Sequence, residues 1–280
     1  MKLLRLGNKE KEKPAILDKE GNYRDLSSII NDLNPDNLNF QTINKINKLD
    51  ISVLPKLENN TRIGACISKP SKFIGIGLNF SDHAAEIGAK PPSEPIIFMK
   101  ATSSINGPND NIELVSNSKK LDWEVELGIV IGKLTKNINK NQSQDHILGY
   151  CLVNDISERE WQIENTGQWV KGKSHDTYGP IGPYIVTKDE ISDINNLNMS
   201  LDLNGKRMQT GNTKTMIFDV DMIVSYVSKF MTLCPGDIIT TGTPPGVGMA
   251  KKPQLFLKDG DKLNLKIDGL GEQNSKVVTI

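Results

Sequence analysis

Asp122-Trp123-Glu124-Val125-Glu126-Leu127-Gly128-Ile129-Val130-Ile131 is the stretch on which the reading of this chain turns. Its apolar residues are aromatic, β-branched or aliphatic and alternate with two glutamates, the pattern of a strand. Strand side chains alternate between faces, so Glu124 and Glu126 point the same way, about 6 to 7 Å apart at Cα. Val125, Leu127 and Ile129 point the other way, and Trp123, Gly128 and Ile131 mark the ends as buried. Two carboxylates held together in apolar company repel each other and lose hydration. They persist only if paired, protonated or bound to a cation. The local pattern also allows a plainer reading, because Glu-x-Glu is common on the solvent face of an edge strand.

Working outward, the same texture recurs. Phe73 to Gly77, Pro95 to Met99, Gly149 to Asn154, Pro183 to Val186, Ser200 to Leu203, Asp237 to Thr241 and Lys262 to Ile267 all read as strands. Only Ser81 to Gly88 and Asp219 to Phe230 interrupt them as helices. Regular strand–helix alternation is missing, which argues against a doubly wound parallel sheet. The fold class is therefore α+β and β-rich. Ahead of this body lies a smaller unit with strands at Lys2 to Leu6 and Pro14 to Leu17, a turn at Asp18 to Asn22, and helical patterns at Leu26 to Leu33 and Phe40 to Leu49. The stretch Leu54 to Pro70, bounded by Pro55 and Pro70, reads as a linker, dividing the chain into 1–65 and 66–280.

Composition narrows the partners. The 280 residues carry 34 Lys+Arg and 34 Asp+Glu, so nothing favours the phosphate backbone of a nucleic acid. No apolar run approaches the length of a membrane span, and the N-terminal MKLLRLGNKEKEKP lacks the apolar core of a signal peptide. Three cysteines, Cys66, Cys151 and Cys234, lie far apart and form no CxxC pair. That usage suits a cytoplasmic protein without a disulfide frame or a cysteine-based zinc site. Gly75-Ile76-Gly77 follows a strand, but Phe80 stands where a dinucleotide fingerprint needs its third glycine.

A third carboxylate, Asp155, closes the apolar strand Tyr150-Cys151-Leu152-Val153-Asn154. Together with Glu124 and Glu126 it makes an oxygen-only donor set, which favours a hard divalent cation, Mg²⁺ or Mn²⁺. Among the three histidines, His83 stands out because Glu86 follows three residues on, in a helical segment, on the same face. A carboxylate so placed orients an imidazole and stabilises its protonated form. His175 sits in a glycine-containing loop, and His146 reads as a surface residue.

Four segments jointly resemble the fumarylacetoacetate hydrolase family: Asp122 to Gly132 followed by Asn154 to Arg159, Gly77 to Glu86, Lys171 to Ser174, and Gly236 to Gly248. The resemblance covers the chain from about residue 66 onward and is nearest to bacterial members described as ureidoglycolate lyases or 2,4-diketo-3-deoxy-sugar-acid hydrolases. It implies a mixed β-roll catalytic domain behind a small N-terminal α/β domain, and a homodimer. It also implies a metal held by Glu124, Glu126 and Asp155, with His83 and Glu86 as a water-activating pair on a lid. Lys173 would face the reacting carbonyl, while Arg159, Gln162, Thr243 and Lys100 would contact a small oxo-acid substrate. In one departure, Phe80 stands where many members have tyrosine.

The activity this implies is metal-assisted hydrolysis of a carbon–carbon bond in a 2,4-diketo acid of acylpyruvate type. Ureidoglycolate cleavage to glyoxylate and urea, or enolising isomerisation or decarboxylation of a 2-oxo acid, would use the same metal. A non-catalytic binding protein would be expected to lack His83, Glu86 or Lys173, and all three are present.

Overall fold

The computed structural model describes residues 1–280. The Val125–Ile131 strand sits near the middle of a ten-stranded mixed sheet. Antiparallel partners flank it, Ile147–Asn154 on one side and Ile238–Thr240 on the other. Beyond Ile238–Thr240 the sheet continues through Phe73–Gly77, paired in parallel, and ends at Ile96–Lys100. A separate five-stranded sheet runs Lys206–Asn212, Asn198–Leu203, Lys262–Ile267, Gly271–Thr279, Ile112–Leu114.

Alternation along the strands sorts side chains into two cores. Val125, Leu127 and Ile129 join Tyr150 and Leu152 in the larger one, packed against Leu201, Leu265 and Ile267 of the second sheet and Ile223 and Val227 of helix Val220–Phe230. On the opposite face Val130, Cys151, Val153 and Ile238 pack with Leu3, Ile16, Leu26 and Leu33. Gly128 faces that side too, where a Cβ would stand 2.7 Å from both Cys151 Sγ and Val153 Cγ2. Glycine is the residue that lets the two strands keep their spacing there.

Residues 1–65 extend this sheet instead of building one of their own. Lys2 and Leu3 pair with Val186 and Ile185, and Lys13–Leu17, Tyr23–Asp25 and Lys56–Leu57 follow outward to the edge. The helix Phe40–Asn47 forms, its first turn capped by the Asn39 side chain, which accepts from Thr42 N at 2.9 Å. The helical pattern at Leu26 to Leu33 gives only a single turn, closed by Ile30 N to Leu26 O at 3.0 Å. Polar side chains take over the backbone on both sides of it: Asp25 accepts from Ser27 N and Asp32 from Leu33 N. Within the linker stretch, Cys66 and Ile67 are buried in the second core. No helix is long and apolar enough to cross a membrane.

Candidate metal centre and active site

The antiparallel register does the first part of the assembly. Val125 faces Asn154, and Asp155 N donates to Glu124 O at 2.9 Å, so the residues just beyond the paired ends lie side by side. Glu124, Glu126 and Asp155 thereby converge, with one carboxylate oxygen from each lying within 4.8 Å of the others, and all three are buried.

Cations gather around two of the three. Lys173 Nζ donates to Glu124 Oε2 at 2.7 Å and to Asp155 Oδ2 at 2.6 Å. Lys100 Nζ donates to Asp155 Oδ1 at 2.6 Å and to the Lys173 carbonyl. Arg159 reaches Glu124 Oε1 at 2.7 Å, Gln162 Oε1 at 2.9 Å and Asp122 Oδ2 at 2.9 Å. Burial works against the charge on Glu124, but Lys173 and Arg159 outweigh it and hold that carboxyl well below the usual range.

Glu126 is different. No basic side chain pairs with it; Thr240 Oγ1 donates to its Oε2 at 2.5 Å and Gly242 N at 2.8 Å. Burial, reinforced by the charges of Asp155 and Glu124, pushes its carboxyl well above the usual range. Counting Asp122, four buried carboxylates face three buried cations, an imbalance that a divalent ion would relieve. The donors are all oxygens, so the residues fit a hard cation such as Mg²⁺ or Mn²⁺.

His83 lies on the short helix Ser81–Glu86, with its Nδ1 2.9 Å from Glu86 Oε2. Glu86 is itself fixed, accepting from Gly246 N at 2.9 Å through Oε1. With Nδ1 engaged, Nε2 is the nitrogen left for the cavity that His83 lines. This cavity, about 270 Å³, is also lined by Glu124, Glu126, Arg159, Gln162 and Lys173. A larger cleft of about 1000 Å³ lies near the N-terminal strands, but its arginines are already paired: Arg5 with Asp32 and Glu12, Arg62 with Asp110 and Glu12.

Local structure explains how the basic residues arrive. Arg159 and Gln162 flank and occupy a π-helical turn, Glu160–Glu164. Lys173 ends a short helix, Trp169–Lys173. Gly172 permits that helix to dock, since a Cβ would stand 2.4 Å from Glu158 O.

Two sequence-predicted contact residues sit otherwise than expected. Lys100 is fully buried behind Asp155 and does not line the cavity. Thr243 lines it, but its hydroxyl donates its one proton to Val125 O at 2.9 Å and accepts from Gln209 Nε2 at 2.8 Å. That hydroxyl has nothing left to give a substrate carboxylate. His175 packs its ring against Tyr178 outside the cavity, and His146 meets Thr135 far from it.

Sequence reasoning assigned no role to Asp122. Wholly buried, it accepts from Trp123 N, Gly248 N, Met249 N and Arg159 Nε at 2.6 to 3.0 Å, tying the arginine to the Gly248 loop. Its place at the head of the Glu-x-Glu strand was the one available signal.

The buried acidic cluster and the carboxylate-held histidine are thus set in a strand-rich α+β body of two main sheets. The chain belongs to the fumarylacetoacetate hydrolase family, whose C-terminal domain profile matches residues 72–278. A Burkholderia ambifaria relative is 54% identical over 274 residues, covering 98% of this chain and 97% of its own. Among solved structures, the 5-carboxymethyl-2-hydroxymuconate delta-isomerase of Mycobacterium smegmatis superposes with a TM-score of 0.82 at 30% identity, covering 100% of both chains. Maleylpyruvate hydrolase from Sphingobium sp. SYK-6, solved with manganese(II) and pyruvate, gives 0.83 at 25% identity, covering 100% of this chain and 99% of its own.

Proposed function

We propose that this chain hydrolyses a carbon–carbon bond in 2,4-dioxo acids of the acylpyruvate type, with a divalent cation held by Glu124, Glu126 and Asp155. The observation that carries the reading is the His83–Glu86 pair, whose imidazole lines the same cavity as Glu124 and Glu126. When bound there, the cation would supply Lewis-acid stabilisation of negative charge developing on the oxo acid.

The chain's own groups account for the proton steps. His83 takes a proton from water as the oxygen attacks C4, and Glu86 holds the resulting imidazolium in place. Two of the three Lys173 ammonium protons go to Glu124 and Asp155, leaving the third for the oxygen on which charge develops. Gln162 turns its carbonyl oxygen to Arg159, which leaves its amide NH₂ as a second donor. The C3–C4 bond then breaks, C4 departs as a carboxylic acid, and His83 returns the proton to C3 to give pyruvate.

An enolising isomerase is the second reading, favoured by the 30% identity to the delta-isomerase. It would need His83 as a base but no attacking water. Incubation with acetylpyruvate and Mg²⁺ or Mn²⁺ separates the two. Hydrolysis gives equal amounts of pyruvate and acetate; loss of the diketone without pyruvate, or no reaction across a dioxo-acid panel, would refute the hydrolase.

A further inference from the structure

We infer that the far end of this cavity selects an uncharged, apolar acyl chain, so that the substrates are monocarboxylates and not dicarboxylates; the inference builds on the oxo-acid reading above. The cavity has two chemically distinct ends. Its ionisable side chains are His83, Glu124, Glu126, Arg159 and Lys173; Glu126 is held by Thr240 and Gly242, and the others are engaged with one another or with Asp122, Asp155, Gln162 and Glu86. Arg159 spends three of its five N–H donors on Asp122, Gln162 and Glu124, which holds its guanidinium at the carboxylate end of the cavity.

Away from that cluster the lining turns apolar. Ile87, Ile96 and Ile163 line the cavity and remain 41%, 37% and 43% exposed, three of the few large aliphatic side chains so open to solvent. Phe98 and Trp169, ring centroids 5.5 Å apart, continue the surface inward. Half-exposed isoleucines at the mouth of a pocket hold unfavourable hydration that an alkyl chain would displace. A terminal carboxylate in the same place would shed water against side chains that offer it neither a cation nor a free hydroxyl proton. The two ends thus sort a substrate by polarity: oxo-acid head toward Lys173, hydrocarbon tail toward Ile163.

Binding to the Mn²⁺-loaded protein tests this without requiring turnover. Calorimetric titration with pyruvate, 2-oxooctanoate and 2-oxosuberate compares no tail, an apolar tail and a similar tail ending in a carboxylate. Burying each methylene is worth up to about fourfold in affinity, so 2-oxooctanoate should bind at least tenfold more tightly than either of the others. Ile163→Arg, a change at a half-exposed position, should narrow or reverse the preference for 2-oxooctanoate over 2-oxosuberate at least tenfold, with unaltered circular dichroism and with pyruvate as the tail-free reference for the added charge. Equal or tighter binding of 2-oxosuberate by the unsubstituted protein would overturn the inference, as would no gain from pyruvate to 2-oxooctanoate. The latter, with Ile163→Arg disrupting a dimer in sedimentation, would mean that a second copy covers the isoleucines. Parallel assays with acetylpyruvate, hexanoylpyruvate and succinylpyruvate keep the two readings apart. Tail preference in binding without cleavage of any dioxo acid would refute the hydrolase alone; cleavage that favours succinylpyruvate would refute the apolar tail alone. Failure of all three 2-oxo acids to bind would overturn both.

Discussion

Lys100 donates to Asp155 across 2.6 Å with both side chains withdrawn from solvent, behind the cavity and not within it. Burial draws the ammonium's pKa down, opposed by Asp155. Its job is then to neutralise and aim a carboxylate and, through the Lys173 carbonyl, to fix the neighbouring lysine. Replacing it by Met breaks a buried pair and should cost about 3–5 kcal/mol of stability, the range for removing one partner of such a pair. Urea unfolding of Lys100→Met measures this. A higher KM with unchanged stability would instead mean that Lys100 reaches substrate.

Glu126 carries the opposite expectation. Its buried carboxylate has hydrogen-bond donors but no paired cation, so the metal-free protein bears the cost of keeping it there. Glu126→Gln should leave the metal-free melting temperature unchanged or higher. The unsubstituted protein should gain about 2.7 kcal/mol when Mn²⁺ is present at a hundredfold over its Kd. In the variant that gain should vanish, along with turnover. Thermal melts of both proteins with and without Mn²⁺ decide it, and an equal gain in the variant would remove Glu126 from the metal centre.

How much of this was legible in the sequence depends on whether polarity and position agree. Phe73–Gly77 and Lys262–Ile267 form with the ends expected, because their apolar residues lie within one uninterrupted segment bounded by turn residues. Gly271–Thr279 was invisible for the converse reason: its inward residues include Gln273 and Ser275. The Gln273 amide nitrogen finds its acceptors only in three dimensions, in the carbonyls of Leu152 and Gly182. The site divides the same way. Glu124, Glu126 and Asp155 announce themselves as charges in apolar strands. Asp122 shows its role only when Gly248 and Met249, far along the chain, bring their N–H groups to it. The Thr243 hydroxyl could not be foreseen as occupied, since Gln209, which donates to it, lies in a strand that the apolar pattern missed.

Outside the cavity, Asp18 makes stability depend on pH. Loss of hydration pushes its pKa up, but the Arg24 guanidinium at 2.7 Å and the Asn22 N–H groups outweigh this and hold it below the ordinary carboxylate value. A carboxyl depressed in the folded state stabilises the fold above its unfolded pKa, near 3.9. That stabilisation fades as pH falls toward the folded value. Asp18→Asn should therefore be less stable than the parent at neutral pH. The gap should close over roughly pH 4 to 2, as followed by denaturant unfolding at each pH. A gap that stays constant on acidification would assign Asp18 a purely neutral hydrogen-bonding role.

The His83–Glu86 pair yields the most discriminating kinetic expectation, because neither side chain belongs to the three-carboxylate cluster. A general base contributes about 10²–10⁴ in rate, so His83→Asn should lower kcat by that factor while the Mn²⁺-induced rise in melting temperature survives. Glu86→Gln should fall between this variant and the parent. Its amide oxygen can stand in for Oε2 and accept from the imidazole, so the ring stays in position, while its NH₂ replaces the Oε1 that accepts from Gly246 N. What it lacks is the negative charge that stabilises the imidazolium formed as water is deprotonated. Glu86→Ala removes both functions and frees the Gly246 loop, so it should resemble His83→Asn. If Glu86→Gln and Glu86→Ala are equally impaired, charge is the essential contribution; if Glu86→Gln retains full activity, Glu86 serves only to position the ring. Survival of full kcat in His83→Asn would exclude His83 as the base and leave the enolising reading to find its proton acceptor elsewhere.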